Sequence, residues 1–272
     1  MSDDEVSPIE KVFRTFQAGD YEEGLSLAEK VGGEYWYNGW NALACALATG
    51  AELPVIMRLL VINPEAAKKR DSQGRTALHL AIYNGHPATT ILAVLNANPG
   101  AAAVKDIHGY LPVFIWVHCY ADMNVYYALH TAYPGAASAQ DTHGSTLLHH
   151  ASLMGPKITE AVLIDNPEAA MVKNNAGYLP LHTFCKDANG CFPGAYDVFQ
   201  LLYNAYPEAV FHEIEDTKES AIHLATRNHL LAADIIGPLI AANPSAAKKK
   251  YKGLREAPID TARAHLGIFG IV

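Results

Sequence analysis

Cysteine is scarce: four thiols (Cys45, Cys119, Cys185, Cys191) in 272 residues, with no Cys-x-x-Cys pair, exclude a disulfide scaffold and point to reduced thiols. No stretch approaches the roughly 18 consecutive apolar residues a membrane span needs. The start, Met1-Ser-Asp-Asp-Glu5, has no basic region leading into an apolar run. The expectation is therefore a chain of the cytoplasm or nucleus without membrane insertion. Positive charge is also in deficit, 20 Lys and Arg against 28 Asp and Glu, a net −8, which argues against a binder of nucleic acid because phosphate recognition needs a basic face. The short clusters Lys68-Lys-Arg70 and Lys248-Lys-Lys250 with Lys252 read as solubilising. Nothing resembles a glycine-rich phosphate loop following a strand, or a nucleophile elbow.

What the chain does have is punctuation at a fixed interval. A proline followed by a small or acidic residue and then alanine occurs at Pro64, Pro99, Pro134, Pro167, Pro207 and Pro244, spaced 35, 35, 33, 40 and 37 residues apart. A second signature keeps phase with it: Asp71-x-x-Gly74-x-Thr-Ala-Leu-His79, Asp106-x-x-Gly109-Tyr-Leu-Pro-Val113, Asp141-x-x-Gly144-Ser-Thr-Leu-Leu-His149, Asn174-x-x-Gly177-Tyr-Leu-Pro-Leu-His182, and a worn copy ending Ala221-Ile-His223.

Each period resolves into two helices. Thr76 caps a short first helix carrying Leu78 and Ala81, closed by Gly85-His86. The second helix shows apolar residues at helical spacing: Ile91, Leu92, Val94 and Leu95, echoed by Val55, Ile56, Leu59 and Leu60 and by Ile235, Ile236, Leu239 and Ile240. Proline ends it. Residues Ala67 to Gly74 suit a turn projecting from the stack. At the amino end, Ser7-Pro8-Ile-Glu10 reads as a capping box opening a helix pair that turns at Ala18-Gly19-Asp20.

The period, the Asp-x-x-Gly-x-Thr-x-Leu-His-x-Ala opening and the Gly-His close resemble the ankyrin repeat, best between Asp71 and His86 and recognisable over nearly the whole chain. Gly39-Trp-Asn-Ala-Leu43 repeats the phase with Ala44 at the histidine position, and Ala257-Pro-Ile-Asp-Thr-Ala262 repeats it with Asp260 there. The resemblance implies an all-α fold, an ankyrin-type helix-turn-helix repeat solenoid with short connecting turns or hairpins. Its expected divisions are capping helices in 1–35, six repeats (36–70, 71–105, 106–140, 141–173, 174–214, 215–250) and a partial repeat in 251–272. The bare apolar end, Gly267-Ile-Phe-Gly-Ile-Val272, is expected either to fold back as a cap or to continue into a longer protein. Histidines 79, 149, 182 and 223 share one repeat position, which in this family hydrogen-bonds the connecting turns, and that accounts for them without catalysis or metal.

Departures mark where the repeats differ. The small residue of the first helix becomes Trp116 in the third unit and Phe184 in the fifth, so those two units should pack differently. Phe114 stands where the third histidine should be, and Lys186 to Gly194 is an insertion between helices. His182, Cys185 and Cys191 match no zinc spacing. His149-His150, and Asp216 with Glu213 and Glu215, are neighbours whose side chains diverge rather than converge on a reaction.

The family's variable positions flank the turn glycine and end the first helix. Carried over, the first set is Trp40, Arg75, Tyr110, Ser145, Tyr178 and Glu219. The second is Tyr83-Asn84, His118-Cys119, Leu153-Met154, Lys186-Asp187 and Arg227-Asn228. From these the expected partner-binding residues are Trp40, Arg75, Tyr83, Asn84, Tyr110, His118, Leu153, Met154, Tyr178, Lys186 and Asp187, on a concave groove headed by Trp40, Tyr110 and Tyr178, with Leu153 and Met154 exposed. The alternative is that these aromatics pack between turns. The function implied is a monomeric, non-enzymatic scaffold for another protein or peptide, with no catalytic residue, metal or cofactor; the alternative is the regulatory or targeting arm of a larger enzyme or receptor.

Overall fold

The computed structural model describes residues 8–30, 40–119, 122–188, 193–228, 233–250 and 256–266, and among them the regular structure is helical apart from isolated bridging residues such as Gln140 and Thr146. The acidic start Met1 to Glu5, Ser7, Gly39, the middle of the 186–194 insertion with Cys191, Lys252 and the apolar end 267–272 lie outside the described residues. The chain divides between Ala136 and Ala137 into two compact units.

The first unit holds α1 (Pro8–Gln17), α2 (Tyr21–Lys30), α3 (Ala42–Ala48), α4 (Leu53–Ile62), α5 (Ala77–Tyr83), α6 (Ala88–Ala97), α7 (Pro112–His118) and α8 (Met123–Ala132). The second holds α9 (Leu147–Ala151), α10 (Pro156–Asp165), α11 (Pro180–Asp187), α12 (Ala195–Ala205), α13 (Ala221–Arg227), α14 (Ala233–Ala242), α15 (Pro244–Lys248) and α16 (Pro258–Leu266). Odd-numbered helices from α3 to α13 are short first helices of a repeat; the helix after each is its longer second helix. Within each unit like stacks on like: α5 against α3 and α7, α6 against α4 and α8, α11 against α9 and α13, α12 against α10. The stripes foreseen on the second helices are buried except for Leu92, which is half-buried; Ile56, Ile91 and Ile235 are at most 2% exposed. Burial of that stripe, rather than helix propensity, is what holds ten-residue helices in place.

The turn placed at Ala67 to Gly74 begins later than that reading. Residues before the prolines (Asn63, Asn98, Asn166, Tyr206) sit at φ between −150° and −143° with ψ between 82° and 88°, outside the α region as a following proline requires. Proline then opens a single 3-10 turn, Pro64–Lys68 and its counterparts. Its alanine pair is buried, Ala66 at 4% and Ala67 at 1%. Small side chains let this turn lie close against its neighbours, so it is a third packed element of the repeat and not part of the projecting loop.

The asparagines before proline do more than end helices. Asn98 Nδ2 donates to Ala67 O at 3.1 Å, Asn166 Nδ2 to Ala137 O at 3.1 Å and Asn243 Nδ2 to Val210 O at 2.9 Å, each reaching back to the 3-10 turn of the repeat before. Tyr133 and Tyr206 occupy the same position without an amide. The two enlarged residues are accommodated differently: Phe184 is fully buried in α11, and Trp116 is 3% exposed with its ring 5.4 Å from Tyr126 and its indole N–H without a partner.

Candidate protein-binding face

Hairpin tips and first helices supply the candidate face. In each hairpin an aspartate or asparagine closes the loop with one side-chain oxygen. Asp71 Oδ1 accepts Gln73 N–H and Arg75 N–H at 2.9 and 2.8 Å, Asp106 Oδ1 accepts His108 and Tyr110, Asp141 Oδ1 accepts His143 and Ser145, and Asn174 Oδ1 accepts Ala176 and Tyr178. The glycine between takes a positive φ, +73° at Gly74, which only glycine adopts without strain. The worn repeat breaks this pattern: Ile214 N–H reaches Glu219 O over one extra residue, and Lys218 holds φ 59° where glycine would be.

The repeat histidines tie a first helix to the hairpin or turn of the repeat that follows it. His79 Nδ1 accepts Thr76 N–H at 3.1 Å and lies 2.9 Å from Thr76 Oγ1, while His79 Nε2–H donates to Tyr110 O at 3.2 Å. His149 does the same with Thr146 and Tyr178 O, His182 with Leu179 N–H and His212 O, and His223 with Ser220 and Lys249 O. A carbonyl only accepts, so Nε2 carries the proton and the ring is neutral. Burial holds the pKa of all four below the ordinary value, to about 4 at His149 and His182. In the first repeat Asn41 replaces the ring, accepting Ala44 N–H and donating to Ala66 O. His149 and His150 diverge, His150 Nε2 reaching Asp141 Oδ2 at 3.1 Å.

With the hairpins fixed, the two sets of variable positions meet inside single repeats, eight residues apart. Arg75 lies over the Tyr83 ring at 6.0 Å, Lys186 over Tyr178 at 5.3 Å, and Arg227 pairs with Glu219 at 2.7 Å. This i, i+8 pairing was not anticipated, yet it is readable once the turn glycine and the end of the first helix are located.

In the first unit the face opens into a cavity of about 400 Å³ lined by Gln73, Arg75, Tyr83, Asp106, His108, Tyr110, Ile115, His118 and Cys119. Four expected residues, Arg75, Tyr83, Tyr110 and His118, therefore converge. Tyr83 is 63% exposed, and Tyr110 is half-buried, stacked on Phe114 at 6.1 Å. Trp40 stands beside them, its Nε1–H donating to Asp71 Oδ2, the oxygen that also takes the Arg75 guanidinium at 2.8 Å. Asn84 is exposed but turned onto its own helix, donating to Leu80 O. Sequence reasoning missed Gln73, Asp106, His108 and Ile115: Gln73 and His108 precede the turn glycines, where only the residue after each glycine was carried over, and Asp106 and Ile115 occupy no variable position.

The other expected residues belong to the second unit. Leu153 and Met154, expected to be exposed, are half-buried: α9 stops at Ala151 and both residues follow it in a tight turn, with backbone N–H groups bonded to His150 O and Ala151 O. Tyr178 is half-buried beneath Lys186, whose ammonium also lies 3.2 Å from the Asp187 carboxylate. None of the described thiols is activated: burial raises Cys45 to about 12 and pushes Cys119 and Cys185 up as well. Among the described residues no cluster of His, Cys, Asp and Glu has the grouping to hold a metal ion, and no helix is long and apolar enough to cross a membrane.

Residues 22–103 match the family model for ankyrin repeats, in three copies. The fold is shared with the crystallised ankyrin repeat domain of Bcl-3, described as a unique member of the IkappaB protein family, at TM-score 0.62 and 17% identity over 86% of this chain and 98% of that domain. It is shared too with a chain of the Bdellovibrio bacteriovorus predatory endopeptidase Bd0816 in complex with immunity protein Bd3460, at TM-score 0.59 and 19% identity over 73% of this chain and 96% of that one. No curated protein matches it in sequence.

Proposed function

This being an ankyrin-repeat protein, whose repeats are in general protein-interaction modules, we propose that it is a non-enzymatic scaffold that binds a partner protein or peptide through the hairpin and first-helix face, acting as a monomer in the cytoplasm or nucleus. The observation that carries the reading is the convergence of Arg75, Tyr83, Tyr110 and His118 on one open cavity of about 400 Å³. Tyrosine and arginine are among the residue types that dominate protein hot spots, and here Arg75, Tyr83 and Tyr110 line the cavity at variable positions. The supporting frame is bonded before any partner arrives: Asp71 and Asp106 close the two hairpins at the cavity and His79 ties α5 to the second of them, which lowers the ordering cost of association. One neighbour in fold comes from a structure of a protein in complex with another, in keeping with this reading.

The test is affinity capture from native lysate, followed by mass spectrometry, with the wild type and a Tyr83→Ala, Tyr110→Ala variant whose helical circular dichroism is unchanged. A defined partner held by the wild type and released by the variant is the expected result. Identical captured sets from both proteins contradict the reading.

A further inference from the structure

The cavity in the first unit lies in a stretch whose charge differs from that of the rest of the chain. Residues 64–119 contain Lys68, Lys69, Arg70, Arg75 and Lys105 against Glu65, Asp71 and Asp106, a balance of +2 in a chain of −8. The two hairpin carboxylates are occupied: Asp71 and Asp106 each accept two backbone N–H groups, and the second oxygen of Asp71 takes Arg75 and Trp40. Arg70 spans the two hairpins whose tips line the cavity, bonding Gly74 O at 2.9 Å and Lys105 O at 2.5 Å. Those acceptors are neutral carbonyls, so the guanidinium keeps its full charge beside the two hairpins. Lys69 and Lys105 flank it, both exposed. The walls are of another character, with Tyr83, Tyr110 and Ile115 giving a mostly apolar interior. A volume of about 400 Å³ is at the low end of ligand pockets, which run from about 300 to 1,000 Å³.

We propose that this cavity takes a peptide segment of the partner in which an aromatic side chain is flanked by aspartate or glutamate. The ring enters between Tyr83 and Tyr110 over Ile115, where offset or edge contacts between aromatic groups are favourable. The flanking carboxylates extend out of the cavity toward Lys69, Arg70 and Lys105 on the two hairpin segments whose tips line it, where complementary charge speeds encounter and selects against basic segments. The inference rests on the protein-binding reading above and narrows it to one chemistry.

The experiment is selection of a random twelve-residue displayed peptide library on the purified 272-residue chain, followed by fluorescence-anisotropy titration of enriched peptides. Enriched sequences are expected to share an aromatic residue beside Asp or Glu. Their affinity is expected to fall roughly tenfold or more with Tyr83→Ala, and several-fold with Lys69→Glu, Lys105→Glu, while Tyr196→Ala in the second unit leaves it unchanged. All of these side chains are exposed, so the variants are expected to fold as the parent does. Enriched peptides that are basic or lack an aromatic residue, indifference to the first-unit variants, or no enrichment at all overturns the proposal. The protein-binding reading is then judged separately by lysate capture, which does not depend on the partner's charge or on a short linear segment.

Discussion

The two units use the same backbone and end with different faces. In the first, the i, i+8 positions hold Arg75 with Tyr83 and Tyr110 with His118, and a cavity stands open among them. In the second, Tyr178 is covered by Lys186, and Glu219, 5% exposed, is neutralised by Arg227. Hydrogen bonding differs as well. Among the described residues, histidines at the shared repeat position bridge three times in the second unit, at His149, His182 and His223, and once in the first, at His79, where Asn41 serves the opening repeat and His86 reaches Leu47 O from another position. In the third repeat Phe114 replaces the ring and Tyr133 replaces the asparagine, and the division between units comes just after it. The comparison separates two kinds of position: those bonding the backbone fix where the face lies, and two side chains per repeat decide whether it is open.

Acid should break this comparison most strongly. An unfolded histidine titrates near 6.5, while His149 and His182 in the folded chain titrate at about 4. Between those values unfolding takes up protons, so the stabilising contribution is complete above pH about 6.5 and is lost as pH falls toward 4, on the order of 3 kcal/mol for each ring. Hydrogen exchange read by mass spectrometry is expected to show amides of the second unit losing protection before those of the first as pH is lowered through this window. The reverse order contradicts the assignment of the neutral rings.

Replacing one ring isolates the same effect. His182→Phe gives the fifth repeat the residue of the third and leaves Leu179 N–H and His212 O without their partner, at an expected loss of about 3 kcal/mol in denaturant titration. A loss under about 0.5 kcal/mol would mean that the bridge is ornamental. The smallest expected difference is between two equivalent glycines. A Cβ at Gly144 lies 2.9 Å from Asn175 N, whereas at Gly177 the nearest atom is 3.9 Å away, and both have φ above +70°. Gly177→Ala should cost about 1 kcal/mol from conformation alone, and Gly144→Ala about twice that because the backbone must also move.

How much of this was legible in the sequence depends on what each position does. The repeat unit, the two helices and the histidine row were readable because each rests on spacing that recurs, four times for the histidines and five or six times for the rest. The 3-10 turn was not, because a proline and two alanines signal the end of a helix and carry no periodicity of their own. Leu153 and Met154 were placed on the surface by analogy with longer first helices; α9 spans only five residues, and the turn after it draws both inward. Arg75, Tyr83, Tyr110 and His118 were identified one by one from their place in the repeat, but their convergence on a cavity depends on stacking between repeats. Gln73, Asp106, His108 and Ile115 join them for the same reason.

The most direct measurement is calorimetric titration of the captured partner against three proteins: the wild type, Tyr83→Ala with Tyr110→Ala in the first unit, and Tyr178→Ala with Lys186→Ala in the second. If the open face of the first unit is the binding site, the first pair weakens binding by roughly tenfold or more and the second leaves it within about twofold. Equal losses from both pairs, or a loss confined to the second, would place the partner elsewhere and contradict the account.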